Sequence, residues 1–406
     1  MKMTSLLLVA GAVFVSVAAD FRPETRDGKG IQAAIDAAAS AGGGCVTLEK
    51  GEYLSGTIYL KSNVELHIPE GCVLKGCDRW DLYDDVDDPR IRKVPEFSKK
   101  AFIACVFQEN VAITGGGIID GQGVRFYHET SGAFFKKPPH PRTRMIEFVG
   151  CRNVRFEDVT FKDSPGWTCW MRMCEDFTAD RVKIHGDQRM INNDGFHIDG
   201  CCHVRLRKCD VRSGDDSVVM RAIVSPNGDS AVCEDLLVED CTLDSACQAV
   251  RLGCPSDGTI RNAVFRNVKM SGRNGISSQH PVRYLQDGNS GNLTMENILF
   301  ENCTVDCRMS ALCFWVQEGI RLKSFGNVTF RNVELKGFGP LMLKGCEGTP
   351  LANLRFENVK AYVEAKEPLE VRHVEGFSFS DCTFSSWTGE HYFDAKNRAD
   401  TWERVR

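Results

Sequence analysis

Apolar and polar residues alternate in a seven-residue pattern that recurs along the chain from residue 153 onward. Its first copy, Asn153–Val159, reads Asn-Val-Arg-Phe-Glu-Asp-Val. Alternation with a period of two is typical of a β-strand, whereas an amphipathic helix would place its apolar residues three and four positions apart. Further copies begin at Asp176, His203, Asp235, Asn262, Asn297, Asn327, Asn353 and Gly376. The pattern therefore predicts a series of short strands.

The copies start 23 to 35 residues apart, which indicates a repeating fold that tolerates insertions in its turns. Strands at this spacing, each stacked on the one before, are typical of a solenoid. We therefore predict an all-β fold, a single-stranded right-handed parallel β-helix that occupies residues 20–406 as one domain. Upstream of the repeats, the same alternation predicts strands at Cys45–Leu48, Tyr53–Leu60 and Val64–Ile68.

Two segments depart from the strand pattern. Gly28–Ser40 is predicted to be a short amphipathic helix, ended by three glycines, that covers the open edge of the first coil. The Asp- and Pro-rich segment from about residue 78 to residue 100 has no alternation. We expect it to be an excursion from the solenoid that could wall one side of a groove.

Residues 1–19 have the features of a secretory signal peptide, namely a Lys near the start, a short apolar run and small residues at the end. We therefore expect a secreted or periplasmic protein that begins at Asp20. No later stretch is apolar for the roughly 18–20 residues that span a bilayer. The net charge of −5 argues against a nucleic acid partner, because binding to a duplex depends on Lys and Arg. We expect a monomer.

The chain has 19 cysteines, an odd number that resists complete disulfide pairing. Two columns of them follow the repeat: Cys209, Cys241, Cys303 and Cys382 at the seventh position, and Cys151, Cys174, Cys201 and Cys233 two residues before the pattern starts. The seventh position is Val in other copies, so we predict buried, packed thiols. Cys72 with Cys77, and Cys307 with Cys313, stay open as disulfides.

A zinc site at Cys201-Cys202-His203 is disfavoured. Adjacent residues of a strand point to opposite faces, and the usual ligand spacing is missing. We predict no metal and no cofactor.

Three carboxylates stand out in the segments Asn192-Asn193-Asp194-Gly195 and Ser213-Gly214-Asp215-Asp216. Asp194 and Asp216 are 22 residues apart, about one coil, so they should stack roughly 4.8 Å apart. Three neighbouring carboxylates cannot all ionise cheaply, so one should have a raised pKa and serve as a general acid while the others serve as bases. We expect all three to face solvent. An Asp-Asp pair after glycine could instead be only a turn, but its coincidence with Asp194 favours catalysis.

Several motifs resemble polygalacturonases and their relatives, glycoside hydrolase family 28. They are Gly-Thr-Ile-Tyr-Leu-Lys-Ser-Asn-Val-Glu-Leu-His after the helix, Gly-Gly-Gly-Ile-Ile-Asp-Gly-Gln-Gly at residues 115–123, and the two Asp segments. The resemblance covers nearly all of residues 20–406. It implies a pectin-lyase-like right-handed β-helix and hydrolysis of glycosidic bonds with inversion. By this likeness Asp215 would be the general acid, and Asp194 and Asp216 would hold and activate the water.

The chain also departs from that family. Gln248 stands where polygalacturonases have the histidine of Gly-His-Gly, and Ser277-Ser278-Gln279 stands in place of Arg-Ile-Lys, which grips the galacturonate carboxylate. The resemblance therefore supports the type of reaction more strongly than the identity of the sugar. The family also includes rhamnogalacturonan and xylogalacturonan hydrolases.

Counting one residue per coil on the outer face predicts a column of Glu147, Trp170, His197, Val219, Arg251, Ser277 and Trp315. Aromatic faces and guanidinium groups are typical of a cleft that binds an acidic sugar. We therefore predict that a polysaccharide or oligosaccharide substrate is bound by His197, Arg221, Gln248, Arg251, Trp170 and Trp315. The aromatic residues could equally be surface packing, and His197 a structural hydrogen-bonding residue.

Two other functions stay open. A polysaccharide lyase on the same scaffold would need a Lys, Arg or Tyr base and usually calcium, and the Asp cluster has no adjacent cationic base. A non-catalytic β-helix that binds glycans is the second alternative, because a fold alone does not determine a function.

Overall fold

The computed structural model describes residues 19–86, 88, 90, 99–127, 130–131, 134–136, 142–223, 231–253, 255–287, 291–386 and 391–395. These residues form a parallel β-helix, which confirms the predicted fold class. Within them, one continuous sheet has 34 strands. The predicted signal peptide lies outside the described residues except for residue 19, as does much of the predicted excursion between residues 78 and 100.

The strands stack into three ladders, which we name faces A, B and C in the order in which the chain meets them in each coil. Face A comprises Asp20–Phe21, Gly44–Thr47, Val64–His67, Glu109–Thr114, Arg152–Glu157, Glu175–Asp180, Cys202–Arg207, Val232–Glu239, Thr259–Arg266, Thr294–Glu301, the first parts of Ser324–Gly337 and Leu351–Val363, and then Val374–Glu375 and Ser378–Ser380.

Face B comprises Gly51–Ser55, Cys72–Gly76, Ile118–Asp120, Thr160–Lys162, Lys183–His185, Asp210–Ser213, the first parts of Thr242–Leu252 and Lys269–His280, Thr304–Cys307, the second parts of Ser324–Gly337 and Leu351–Val363, and Cys382–Ser386. The last of these pairs antiparallel with His391–Ala395.

Face C comprises Ile58–Tyr59, Ala101–Val106, Arg144–Val149, Cys169–Arg172, Phe196–Asp199, Val218–Arg221, the second parts of Thr242–Leu252 and Lys269–His280, Leu312–Val316, Leu341–Lys344 and Leu369–Arg372. Outside the ladders lie a hairpin, Thr130–Ser131 with Phe134–Phe135, and the 3₁₀ turns Trp80–Leu82, Gly123–Phe126 and Val282–Asp287.

The inside of the solenoid is filled by the apolar positions of the repeat. The phenylalanines at its fourth position stack from coil to coil, with ring centroids 4.7 Å apart for Phe265 and Phe300, 5.2 Å for Phe300 and Phe330, and 4.8 Å for Phe330 and Phe356. Such in-register stacking is possible because parallel strands repeat the same side chain at the same depth.

The first and sixth positions of the repeat have a left-handed backbone, which Asn and Asp adopt more readily than most residues. At the sixth position these are Asp158, Arg181, Lys208, Asp240, Asn267, Asn302, Asn332, Asn358 and Asp381, with φ between 51° and 62°. Neighbouring Asn side chains also bond along the stack, as Asn332 does to Asn302 at 3.0 Å. The polar positions of the pattern therefore specify the turn between faces A and B.

The two predicted cysteine columns are buried, and each of the 18 described cysteines is a free thiol. This confirms the prediction of packed thiols for the columns. The structure forms neither of the two disulfides that the sequence left open, Cys72 with Cys77 and Cys307 with Cys313.

The predicted N-terminal helix is present at Gly28–Ser40. The Asp27 side chain caps it by accepting a hydrogen bond from Gly30 N at 2.9 Å, and Ile31 and Ile35 are fully buried beneath it. The predicted strand Tyr53–Leu60 is wrong in one respect: it breaks at Thr57, whose N–H donates to Leu82 O. Within the described residues, no helix is long and apolar enough to cross a membrane.

Candidate active site

The three predicted aspartates lie in the turn that leads from face B to face C. Gly195 N donates to Asp216 O at 2.9 Å, and Phe196 N donates to Ser217 O at 2.9 Å. This parallel register continues into the paired strands Phe196–Asp199 and Val218–Arg221. Asp194 therefore stacks on Asp216 in the next coil, as their 22-residue spacing predicts.

Two glycines allow these turns to pack closely. A Cβ atom on Gly195 would lie 2.3 Å from Ser217 O, and one on Gly214 would lie 2.0 Å from Met190 O. Since real Cβ atoms do not approach backbone this closely, the glycines of both Asp segments let adjacent coils bring the carboxylates together.

Asp215 is the least buried of the three carboxylates. Its Oδ2 accepts hydrogen bonds from the backbone and side-chain nitrogens of Asn192 at 3.1 and 3.3 Å, and its Oδ1 accepts from Asp216 N at 3.1 Å. Asn192 has a left-handed backbone, with φ of 58°. The Asn-Asn-Asp segment thus supports Asp215 as well as supplying Asp194.

Asp216 is buried against a cation. Its side chain is 2% exposed, and its Oδ2 accepts a hydrogen bond from Arg251 Nη1 at 2.8 Å. Arg251 Nη2 donates to the Tyr284 hydroxyl at 2.8 Å. Burial raises the pKa of Asp216 to about 6, with Arg251 lowering it and Asp215 raising it. The prediction that all three carboxylates face solvent is wrong for Asp194 and Asp216, because the neighbouring coils cover them.

His197 lies beside Asp194, three residues further along the same coil. Its Nε2 lies 3.1 Å from Arg221 Nη1, which can only donate, so Nε2 must be the acceptor and Nδ1 carries the proton. Nδ1 lies 3.4 Å from Asp194 Oδ2. Burial lowers the pKa of His197 well below its usual value, and the nearby Arg221 lowers it further. His197 is therefore a neutral N–H donor directed at Asp194.

Trp170 does not offer a ring face to a sugar. It is 1% exposed and lies between two guanidinium groups, with Arg144 Cζ and Arg172 Cζ each 4.1 Å from its ring centroid. Both arginines are ion-paired with the buried Glu147, at 2.9 and 3.4 Å. The prediction that Trp170 contacts substrate is therefore corrected: it is a buried part of the wall behind the site.

Trp167, which the sequence did not single out, is an aromatic residue that borders His197. Its ring stacks on His197 with centroids 4.0 Å apart. The backbone bond from Thr168 N to Asp194 O places it one coil before Asp194. Its position in the turn before Cys169–Arg172, outside the strand pattern, gave no signal in the sequence.

The register confirms the predicted outer column from Glu147 through Ser277. Its last member is wrong, because Ser277 pairs with Cys313, and Trp315 pairs with Gln279. Trp315 still points to the same side, two residues further along its strand, since alternate residues share a face. It is partly exposed.

Arg221 is buried, at 1% exposure, and its Nη1 donates to His197 Nε2 at 3.1 Å. Ser277 is also buried, and its hydroxyl accepts from Gln279 Nε2 at 3.0 Å. Ser277 and Gln279 thus form a neutral hydrogen-bonded pair. The substrate contacts predicted for His197, Arg221, Gln248, Arg251 and Trp315 stay predictions.

A β-bulge lies immediately before Gln248. Strands Thr242–Leu252 and Lys269–His280 shift register between Ser245 and Gln248, so the first strand has one extra residue. Bulges commonly re-aim a side chain beside an active site. Here ligand atoms of Cys247, Asp215 and Asp216 lie within 4.8 Å of one another. Cys247, not only Gln248, therefore borders the aspartates, and the alternation pattern gave no sign of the inserted residue.

Part of the chain matches the model of a known protein family. Residues 91–227 match the family model described as glycosyl hydrolases family 28. A probable polygalacturonase of Vitis vinifera is 23% identical over 369 residues, which cover 84% of this chain and 72% of that protein. An endo-polygalacturonase of Pectobacterium parmentieri is 23% identical over 323 residues, which cover 76% and 77%.

Solved structures show the same fold. An exopolygalacturonase from Thermotoga maritima superposes with a TM-score of 0.75 at 20% identity, covering 94% of this chain and 95% of that one. A polygalacturonase from Erwinia carotovora superposes with a TM-score of 0.66 at 19% identity, covering 87% and 96%.

Proposed function

Because the chain is a polygalacturonase-like protein of glycosyl hydrolases family 28, we propose that it hydrolyses glycosidic bonds in a pectin-like, uronate-containing polysaccharide, with inversion, after export from the cell. The observation that carries this proposal is the stack of Asp194 on Asp216, with Asp215 beside them at the mouth of the same turn. Paired carboxylates on opposite sides of a scissile bond are what such hydrolysis requires.

In the proposed mechanism, Asp215 donates its proton to the glycosidic oxygen. It is the most accessible of the three carboxylates, and Asn192 fixes its orientation. As the leaving group departs, the transition state acquires oxocarbenium character, and a general acid typically contributes roughly 10²–10⁴-fold to the rate.

Asp194 and Asp216 hold and deprotonate the attacking water. A base with a pKa of about 6, as for Asp216, is ionised at neutral pH and is still basic enough to accept a proton. The neutral His197 N–H steadies Asp194 without lending it a positive charge, and Arg251 keeps Asp216 ionised. Attack from the face opposite the leaving group inverts the anomeric carbon.

The substrate is proposed to differ from plain polygalacturonate. Ser277 and Gln279 supply no charge where the family binds the galacturonate carboxylate. We therefore expect unsubstituted polygalacturonate to be cleaved slowly compared with xylogalacturonan or rhamnogalacturonan fragments, and an acidic sugar to be held from the Arg251 side.

The test is a screen of the purified protein against these three defined oligosaccharides, scored by the release of reducing ends, with Asp215→Asn as the matched inactive control. Release that depends on Asp215 supports the proposal. An unsaturated product detected by ultraviolet absorbance would identify a lyase instead. Binding of a glycan without release from any of the three would favour a non-catalytic β-helix.

A further inference from the structure

The β-bulge that carries Cys247 creates a mixed set of acceptors at the edge of the Asp pair. One ligand atom each from Cys247, Asp215 and Asp216 lies within 4.8 Å of the others. A sulfur atom and two carboxylate oxygens this close to one another could hold one metal ion.

Two buried oxygens beside this set lack a hydrogen-bond donor. While Asp216 Oδ2 is held by Arg251, Asp216 Oδ1 has no hydrogen-bond partner in the structure, and neither does Gln248 Oε1. Gln248 Nε2 lies 3.6 Å from Cys247 Sγ. Unsatisfied buried acceptors are uncommon and costly, so this point of the site favours a group that is positive or donates hydrogen bonds.

We propose that Cys247, Asp215 and Asp216 form a binding site for a thiophilic divalent cation, such as Zn²⁺ or Cd²⁺, and that the cation inhibits the enzyme. The thiolate favours these ions over Ca²⁺ and Mg²⁺, which prefer oxygen ligands. On binding, the S–H bond breaks, a sulfur–metal bond forms and one proton leaves to the solvent. The binding half of this proposal stands alone, whereas the inhibition half rests on the proposed function.

The local charges support it. The two neighbouring carboxylates repel each other, and the Arg251 guanidinium contacts Asp216 Oδ2 at 2.8 Å. A divalent cation reverses this repulsion, because it attracts all three ligands at once. With Asp215 and Asp216 both bound to metal, neither could transfer a proton during hydrolysis.

The test is a Cd²⁺ titration of the full-length protein without substrate, following the thiolate-to-cadmium charge-transfer absorption and the release of protons. In wild type we expect a saturable band with one proton released per ion. Cys247→Ser should remove that band and weaken Cd²⁺ binding at least tenfold. Asp216→Asn, which keeps the thiol, should weaken binding while retaining a band.

His203→Ala is the matched control. Glu175, Asp176 and His203 are the other group of possible ligands within 4.8 Å among the described residues, so this variant should bind Cd²⁺ as wild type does. A band that persists unchanged in Cys247→Ser, or Cd²⁺ binding that is as tight in Asp216→Asn as in wild type, would overturn the proposed site. Because binding is measured without substrate, a protein that binds Cd²⁺ at Cys247 but cleaves no glycan would contradict only the proposed function.

Discussion

The two turns on either side of face B are built in opposite ways. From Asp158–Val159 to Asn302–Cys303, the turn from face A to face B is two residues long in each coil and begins with a left-handed residue. The turn from face B to face C varies from a short bulge inside the continuous strand Thr242–Leu252 to the ten residues 186–195 and the 24 residues 77–100. The regular turn maintains the stack, and the variable turn holds every carboxylate of the candidate site.

This difference shows which part of a solenoid can change from coil to coil. Strand pairing and core stacking are shared by every coil, so the turn between faces B and C can change in length without loss of the core. Functional residues are often on loops for the same reason, because a rigid scaffold holds those loops in place. The comparison predicts that equal substitutions in the two turns have unequal effects.

The largest expected effect is from a single Asp→Asn change in the variable turn. Asp215→Asn should lower kcat by roughly 10²–10⁴-fold, and Asp194→Asn and Asp216→Asn should do likewise, since each removes a proton-transfer group. Circular dichroism should show an unchanged fold. Asp158→Asn, the same substitution in the regular turn, should keep wild-type kcat. Near-wild-type turnover in Asp215→Asn would show that Asp215 is not the general acid.

His197 should have the next largest effect. His197→Phe keeps a ring on Trp167 but removes the N–H directed at Asp194 and leaves Arg221 without its acceptor, so kcat should fall roughly ten- to a hundredfold. His280→Phe removes another buried neutral histidine, which bonds to Ser278. It should lower the melting temperature but not kcat. Equal loss of kcat in both variants would mean that His197 is only structural.

A shift in the pH profile is expected at Arg251. If Asp216 acts as a base with a pKa of about 6, kcat/KM should fall as the pH drops below about 6. Arg251 lowers that pKa, so Arg251→Gln should move this acidic limb to higher pH. Arg266→Gln, which breaks ion pairs on face A, should leave the limb in place. An acidic limb that stays in place in Arg251→Gln would contradict the role of Asp216 as the base.

The smallest effect should come from the Asn stack of the regular turn. Asn302→Ala forces alanine into a left-handed backbone, at a cost of roughly 1–2 kcal/mol, and removes bonds to Asn267 and Asn332. Asn302→Gly removes only the bonds, so it should recover most of the lost melting temperature. Both variants should keep wild-type kcat. A large loss of activity in either would contradict the claim that only the turn between faces B and C carries function.

The same contrast explains what the sequence could predict. Each coil repeats one local pattern, so the strands, the thiol columns and the stacking of Asp194 on Asp216 all follow from spacing. Alternation determines which face a side chain is on but not its register, and a shift of two residues preserves the face. Trp315 was therefore assigned to the correct side and the wrong neighbour.

Two features of the candidate site could not be predicted from the sequence. The bulge at Cys247 adds one residue without disturbing the pattern on either side. The burial of Trp170 results from arginines on two separate strands, Arg144 and Arg172, that converge on its ring. Neither arrangement leaves a local signal along the chain.

The anomeric configuration of the first product tests the central claim most directly. The account predicts that NMR spectra, recorded before mutarotation, show the released sugar with the configuration opposite to that of the cleaved bond, because water attacks from between Asp194 and Asp216. A product that retains the original configuration would require a covalent glycosyl intermediate on one of the carboxylates, and it would contradict the proposed roles of all three.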